Sequence, residues 1–309
     1  MSDNAIVKDN GREITLSVPE PFDFGQNLVY LARSPNECLY RIDGDRLYKA
    51  IPIDSGETPV VEIRSDSAST MTIRFLGDTE PSGQAGRDAV IRYVRDWFDL
   101  DTDLAPFYRL AASDPLLGPA AELFNGLRCM GIPDLFEAMS WGIIGQQINL
   151  AFAYTLKRRL VETFGPRIEC EGETYYLFPS AERIARLEPE ELDELRMTAR
   201  KNEYLVGVAR LIAGGSLTKA NLLALGNLRA AEKALVGIRG IGPWTANYVL
   251  MRCLRMTEAF PIDDVGLHQA IRHAAGMDRK PTRAELLAMA AGWAGWEAYA
   301  TFYLWRHLY

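Results

Sequence analysis

The stretch Leu235-Val236-Gly237-Ile238-Arg239-Gly240-Ile241-Gly242-Pro243-Trp244-Thr245-Ala246-Asn247-Tyr248-Val249-Leu250 decides how the rest of the chain is read. A helix is expected to end near Gly237, since glycine is the residue that helix C-termini favour. Gly240-Ile241-Gly242 then makes a tight apolar turn, and Pro243 stands where a first-turn proline is tolerated, so a second helix starts there. The outline is a helix-hairpin-helix over residues 229–255. Its glycines would let the backbone come close to a phosphate, and the unpaired amides at the start of the second helix would donate to it. A plain helix turn with a glycine cap would explain a bare Gly-Ile-Gly, but not the whole string.

Charge at first points the other way. The net charge is −7 with a pI near 5.2, and phosphate contacts are usually made by Lys and Arg. That average hides an asymmetry. Residues 1–105 carry 11 Lys/Arg against 19 Asp/Glu, a net of −8, whereas residues 196–256 carry 10 against 2, a net of +8. The basic block surrounds the hairpin, and backbone amides need little net charge to hold an anion, so a nucleic-acid partner stays open.

Outward from the hairpin the chain changes texture once. Between Glu13 and about Phe75 short β-like runs recur: Ile14–Val18, Leu39–Ile42, Val60–Ile63 and Met71–Phe75, with turn formers such as Asp43-Gly44-Asp45 between them. One helix is expected near residues 24–33. Gly77 to Gly86 is rich in Gly, Pro, Ser and Thr, and beyond it the period is helical. The expected architecture is therefore α+β: an antiparallel β-sheet domain over residues 1–86, then a helical domain over 87–309 folded as two lobes. Leu135 to Phe164 is read as one or two long helices after a turn at Gly131–Asp134. Residues 165–179 read as a small hairpin insert, and helices resume from Ala181 with breaks at Gly214-Gly215, Gly240–Pro243 and Phe260–Asp264.

The chain has 309 residues, 48% apolar and 24% charged, enough for about two domains with a substantial core. No stretch approaches the roughly 18 apolar residues of a membrane span, and Met1-Ser2-Asp3-Asn4 lacks a leader's basic and apolar regions, so a soluble cytoplasmic protein is expected. Cys38, Cys129, Cys170 and Cys253 are too scattered for a zinc or iron–sulfur site and read as free, packed thiols. His268, His273 and His307 have no metal-ligand spacing.

The hairpin, followed by Phe260-Pro261-Ile262-Asp263-Asp264, resembles the helix-hairpin-helix DNA glycosylases of base excision repair, and within them the bacterial DNA-3-methyladenine glycosylase II group. Trp141-Gly142-Ile143-Ile144-Gly145-Gln146-Gln147-Ile148-Asn149 resembles that family's wedge segment, and Tyr299–Trp305 its C-terminal aromatic helix. The likeness spans about residues 88–309; the N-terminal sheet matches the family's accessory domain only loosely. It implies an enzyme that flips a damaged nucleotide out of duplex DNA and hydrolyses its N-glycosidic bond.

The resemblance also implies roles. In this group the catalytic aspartate lies 20 residues past the Trp of Trp-Thr-Ala and is followed at the third position by an apolar residue. Asp264, with Leu267 after it, satisfies both conditions; Asp263 is followed by Gly266 and fits only the oxoguanine branch's pattern. Either could simply cap the helix starting near Val265, and capping does not exclude catalysis. Trp244 and Tyr248 are four apart and share a helix face, and with Trp305 they are expected to form an electron-rich pocket for a cationic alkylated purine. Without the hairpin and the aspartate, the same aromatics would read as core.

Gly240, Gly242 and Thr245 are the expected phosphate-binding positions. Gln147 falls where the family inserts a side chain, often Leu, into the gap left by the flipped base; Gln could instead be an interior network amide. Trp244 stands where bifunctional relatives carry a nucleophilic Lys, so a monofunctional hydrolase without lyase activity is implied. The family's hairpin further implies a structural Na+ or K+ on the carbonyls of Val236, Ile238 and Ile241, with no required cofactor. The expected protein is thus a monomeric, nucleoid-associated glycosylase of alkylated purines in double-stranded DNA, with no membrane partner. Two rivals remain: an oxidised-purine (8-oxoguanine) glycosylase, and a non-catalytic helix-hairpin-helix DNA-binding module.

Overall fold

The computed structural model describes residues 6–309, and Met1-Ser2-Asp3-Asn4 lie outside the described residues. Six strands form one antiparallel sheet: β1 (Ile6–Asp9), β2 (Glu13–Ser17), β3 (Arg41–Asp43), β4 (Arg46–Ala50), β5 (Val60–Ser67) and β6 (Thr70–Phe75), ordered β1-β2-β6-β5-β4-β3. Helix α1 (Phe24–Leu31) crosses between β2 and β3, and the Asp23 side chain caps it by accepting from the Gln26 amide.

The expected strand at Leu39–Ile42 begins late, at Arg41. Side chains take the backbone of Leu39 instead: its N–H donates to Glu37 Oε1 at 2.8 Å and its carbonyl accepts from Lys49 Nζ at 3.1 Å. Strands β1 and β4 were not expected. Every residue of β1 is exposed, so no alternation marks it, and β4 turns Lys49 inward beside Leu47, which spoils the polar-out pattern.

The outward face of the sheet holds one buried carboxylate. Glu62, on β5, is fully covered and accepts from Arg74 Nη2 at 2.8 Å, Arg46 Nη1 at 3.0 Å, Tyr48 Oη at 3.1 Å and Arg64 Nη1 at 3.3 Å. Register places Arg74 and Tyr48 directly opposite it on the neighbouring strands.

After the boundary come α2 (Gln84–Trp97), α3 (Ala105–Ala111), α4 (Leu117–Leu123), α5 (Leu135–Ile144) and α6 (Leu150–Phe164). A two-stranded insert, β7 (Arg167–Cys170) and β8 (Glu173–Tyr176), lies where the hairpin was expected. Then follow α7 (Ala181–Ala185), α8 (Ala199–Ala213), α9 (Lys219–Ala224), α10 (Leu228–Val236), α11 (Pro243–Arg252), α12 (Val265–Ala274), α13 (Arg283–Ala290) and α14 (Glu297–Trp305). Side-chain caps set several starts: Asp134 for α5, Asn149 for α6, Asn227 for α10 and Asp264 for α12.

Helices α5, α8, α10 and α11 pack together as one lobe, and α4, α12 and α14 as another. One continuous core runs from Ile63 and Ile73 of the sheet through Val90 and Val94 of α2 to Phe302 of α14, and a smaller one joins Val60 and Leu76 to Cys170 and Tyr175 of the insert. Helix α1 sits at that junction: the Tyr30 ring lies 4.3 Å from that of Phe302, and buried Asn27 bonds the backbone of Gly126 and Arg128. Helix α1 thereby ties the N-terminal part to α14 and to the chain leading into α5. The four cysteines are free, and no helix among the described residues is long and apolar enough to cross a membrane.

Candidate active site

The hairpin joins α10 to α11. Gly240 has φ 91°, and a Cβ there would fall 2.3 Å from the Tyr204 ring, so both conformation and space demand glycine. Gly242 differs: nothing lies within 4 Å of where its Cβ would be. It begins α11 without any side-chain cap, and among the described residues the Trp244 and Thr245 amides have no acceptor; the first bond of the helix is Ala246 N–H to the Gly242 carbonyl, 2.9 Å. Open donors and an open approach coincide at the helix's positive end.

The side chain of Thr245 is packed inside the protein. It is 1% exposed, its hydroxyl accepts from Gln146 Nε2 at 3.1 Å, and its methyl group packs where α5 comes closest, against Gly142. Its amide, like that of Trp244, is left without an acceptor among the described residues. The cation carbonyls are chemically suitable: among the described residues those of Val236 and Ile241 accept no hydrogen bond, and that of Ile238 accepts one, from Ile241 N–H.

Asp264 and Asp263 have different surroundings. Asp264 Oδ1 accepts from the Leu267 amide at 2.7 Å and from Trp305 Nε1 at 2.9 Å, while Oδ2 accepts from Trp244 Nε1 at 2.9 Å. Capping therefore coexists with two indole bonds from separate lobes. Asp263 is 56% exposed at its side chain and pairs with Arg283 of α13. Of a carboxylate's roughly four acceptor positions, both on Oδ1 are filled and one on Oδ2 is free. Gly266 makes room for this: a Cβ there would lie 2.9 Å from Asp264 Oδ1 and 3.4 Å from Trp305 Nε1.

The three aromatics come together as expected. Tyr248 stands in the middle, its ring 5.7 Å from Trp244 and 6.3 Å from Trp305, with interplanar angles of 33° and 35°. Burial pushes the Tyr248 phenol upward, and its oxygen accepts from Arg252 Nη1 at 2.8 Å; the same nitrogen donates to Tyr30 Oη at 2.7 Å. Arg252 and Tyr30 were not anticipated. They fix the middle of the aromatic wall through contacts 222 residues apart, which leave no local sequence pattern.

Gln147 occupies the turn between α5 and α6 with φ 58°, exposed and without a side-chain partner among the described residues. The network amide is its neighbour: Gln146 Nε2 donates to the Gly240 carbonyl at 2.9 Å as well as to Thr245. Lys201 of α8, also unanticipated, donates to the carbonyls of Ile144 and Gln146, both at 2.8 Å. The turn is thus fastened to the hairpin and borders the aromatics, since a Cβ on Gly145 would lie 3.7 Å from Trp244 Cη2.

Comparison with known proteins agrees with this geometry. Residues 141–295 match the family model of HhH-GPD superfamily base excision DNA repair proteins, and residues 15–139 match that of the 8-oxoguanine DNA glycosylase N-terminal domain. The chain is 51% identical over 296 residues to a Bacillus subtilis (strain 168) protein named DNA-3-methyladenine glycosylase, covering 96% of this chain and 97% of that one. It is 27% identical to Escherichia coli (strain K12) DNA-3-methyladenine glycosylase 2, covering 94% and 96%. A 3-methyladenine DNA-glycosylase structure from Archaeoglobus fulgidus shares the fold at TM-score 0.79 and 24% identity, over 95% of this chain and 97% of that one. With the family model covering the Gln146–Gln147 turn, the hairpin and Asp264, and a relative at 51% identity along nearly the whole length, the chain belongs to the HhH-GPD superfamily of base excision DNA repair proteins.

Proposed function

We propose that this protein is a monofunctional DNA glycosylase that releases alkylated purines of the 3-methyladenine type from duplex DNA, acting as a monomer in the cytoplasm at the nucleoid. The observation that carries the reading is the Asp264 carboxylate, held by the indoles of Trp244 and Trp305 at the edge of the aromatic wall with one Oδ2 acceptor position free. The names of the relatives at 51% and 27% identity support the substrate class.

The chemistry follows from charge. Alkylation at a ring nitrogen makes the purine cationic, and aromatic faces hold a cation with roughly 0.5–2 kcal/mol per contact. When the C1′–N bond breaks, its electron pair goes to the base, which leaves neutral and needs no proton. Positive charge moves to C1′ and the ring oxygen, where the fixed carboxylate offsets it. Water adds to C1′ and loses a proton, leaving an abasic site. The free Oδ2 position is suited to orient that water. Trp244, in place of a Lys, offers no amine for a Schiff base, so strand cleavage is not expected.

The remaining roles are part of the same proposal. The Gly242, Trp244 and Thr245 amides grip a phosphate, and Gly240 shapes the turn behind them. Gln147 enters the gap left by the flipped base. The carbonyls of Val236, Ile238 and Ile241 would hold Na+ or K+, which adds positive charge beside the phosphate when bound.

The test is base release from methylated duplex DNA, with freed bases separated by chromatography. Release of 3-methyladenine with the strand intact is expected. Release of 8-oxoguanine with strand cleavage, and none of 3-methyladenine, would establish the oxidised-purine reading instead. Equal binding to damaged and intact duplex with no base freed would leave only a binding module.

A further inference from the structure

We infer that Lys201 is a positioning residue for nucleotide flipping, acting through the Gln146–Gln147 turn to hold the Gln147 side chain where it can enter the duplex. The inference rests on the wedge role proposed for Gln147.

The starting point is strain. A residue other than glycine at φ 58° is strained, and such a conformation persists only when its surroundings over-determine it. Both sides of Gln147 are over-determined. On the N-terminal side, Lys201 Nζ takes the carbonyls of Ile144 and Gln146, while the Gln146 side chain is bonded to Gly240 and Thr245 of the hairpin. On the C-terminal side, Asn149 caps α6 by accepting from the Phe152 amide at 2.8 Å. Between these clamps only the Gln147 side chain is unfastened, and it is exposed.

Lys201 is an unusual choice for a clamp. It is 8% exposed and makes no ion pair among the described residues, and its burial lowers the ammonium's pKa. A buried cation without a counter-charge is costly. Among the described residues its hydrogen-bond partners are the carbonyls of Ile144 and Gln146, at and just beyond the end of α5, so its position is dictated by that turn. A neutral cap would have finished α5 more cheaply, but a single ammonium reaches carbonyls on both sides of Gly145 and fixes the peptide that precedes Gln147.

The experiment is a double-mutant cycle of K201M and Q147A. It is read by single-turnover release of 3-methyladenine, by duplex Kd, and by fluorescence of a 2-aminopurine next to the lesion. Displacing a positioned group by about 1 Å can cost up to about 100-fold, so K201M is expected to slow release and flipping by about 10- to 100-fold. Duplex Kd should change less than about threefold, and K201R should recover part of the rate because it keeps the donors. In the Q147A background K201M should cost less than about twofold, since interacting residues are non-additive. A K201M loss of the same size with and without Q147A, or a Kd that rises in step with the lost rate, overturns the inference. If K201M does not fold, K201Q takes its place under the same criteria. Should Q147A alone leave release unchanged, the wedge role fails and the inference with it; additive losses with an impaired Q147A sink the Lys201 role alone.

Discussion

Trp244 donates its indole N–H to Oδ2 of Asp264 at 2.9 Å, joining the second residue of the hairpin's α11 to the cap of α12 across 20 residues of chain. The bond ties one lobe to the other at a half-buried carboxylate. It also explains why spacing from the tryptophan picks out Asp264: the intervening chain must return the aspartate to the indole edge.

Replacing Asp264 by Asn is expected to abolish base release while keeping duplex binding. The amide keeps the size and one acceptor oxygen but loses the charge that offsets the sugar cation, and a loss of at least about 1,000-fold, or about 4 kcal/mol, is expected. Asp263→Asn is the matched control. Its carboxylate is paired on the surface with Arg283, and exposed pairs contribute about 0–1 kcal/mol, so near-normal release is expected. Single-turnover release on methylated duplex measures both, and an active Asp264→Asn enzyme would remove this residue from the mechanism.

Trp305→Phe separates the ring from its N–H. The aromatic wall beside Tyr248 is kept, but Asp264 Oδ1 loses one of its two donors. A hydrogen bond to a charged group contributes about 1.5–3 kcal/mol, so release should slow roughly 10- to 100-fold with little change in Kd. Gly266→Ala should act similarly from the other side, because its Cβ would press on both Asp264 Oδ1 and Trp305 Nε1. A Gly266→Ala enzyme with the wild-type rate would show that this geometry can shift without consequence.

The hairpin and the aspartate were legible because their determinants are local: glycine and proline dictate backbone, and a cap is fixed by its own next three residues. What the sequence hid is long-range. Lys201 reads as one more basic residue of a helix, and nothing nearby says that its ammonium ends on carbonyls 55 and 57 residues away. Arg252 meets Tyr30 across 222 residues, so the contribution of α1 to the aromatic wall was invisible. Nor did the sequence show that the Thr245 side chain packs inward, since that follows from the close approach of α5 at Gly142, more than 100 positions earlier in the chain. In the sheet, an all-exposed edge and an inward lysine concealed β1 and β4.

Two hairpin glycines should respond oppositely to a methyl group. Gly240→Ala forces a Cβ to 2.3 Å from the Tyr204 ring at φ 91°, and strain of this kind costs about 1–3 kcal/mol, so its melting temperature should fall. Gly242→Ala meets nothing within 4 Å and has φ −90°, so its melting temperature should stay within a degree or two of wild type (a ΔΔG of under about 0.5 kcal/mol). Its cost should appear in binding, where the added methyl intrudes on an approaching phosphate. Thermal melts and duplex Kd distinguish the two; a Gly242→Ala variant with unaltered affinity would separate that glycine from phosphate contact.

Glu62 makes the sheet acid-sensitive. Burial alone would raise its pKa, but hydrogen bonds from Arg74, Arg46 and Tyr48, with the charge of Arg74, outweigh burial and bring it from 4.5 down to about 2. A carboxylate whose folded pKa lies below its unfolded value stabilises the fold fully above the unfolded value, here above about pH 4.5, and loses that contribution as pH falls toward 2. The shift corresponds to about 3 kcal/mol, which screening at the partly exposed arginines lowers to the order of 2 kcal/mol. Glu62→Gln keeps the shape and one acceptor but cannot titrate. Wild type should therefore exceed the variant in unfolding free energy at pH 6 by that order, with the gap closing between pH 4.5 and 2, since every other carboxylate titrates alike in both proteins. Denaturant unfolding across that range measures the gap, and a gap independent of pH would mean that Glu62 contributes by packing rather than by charge.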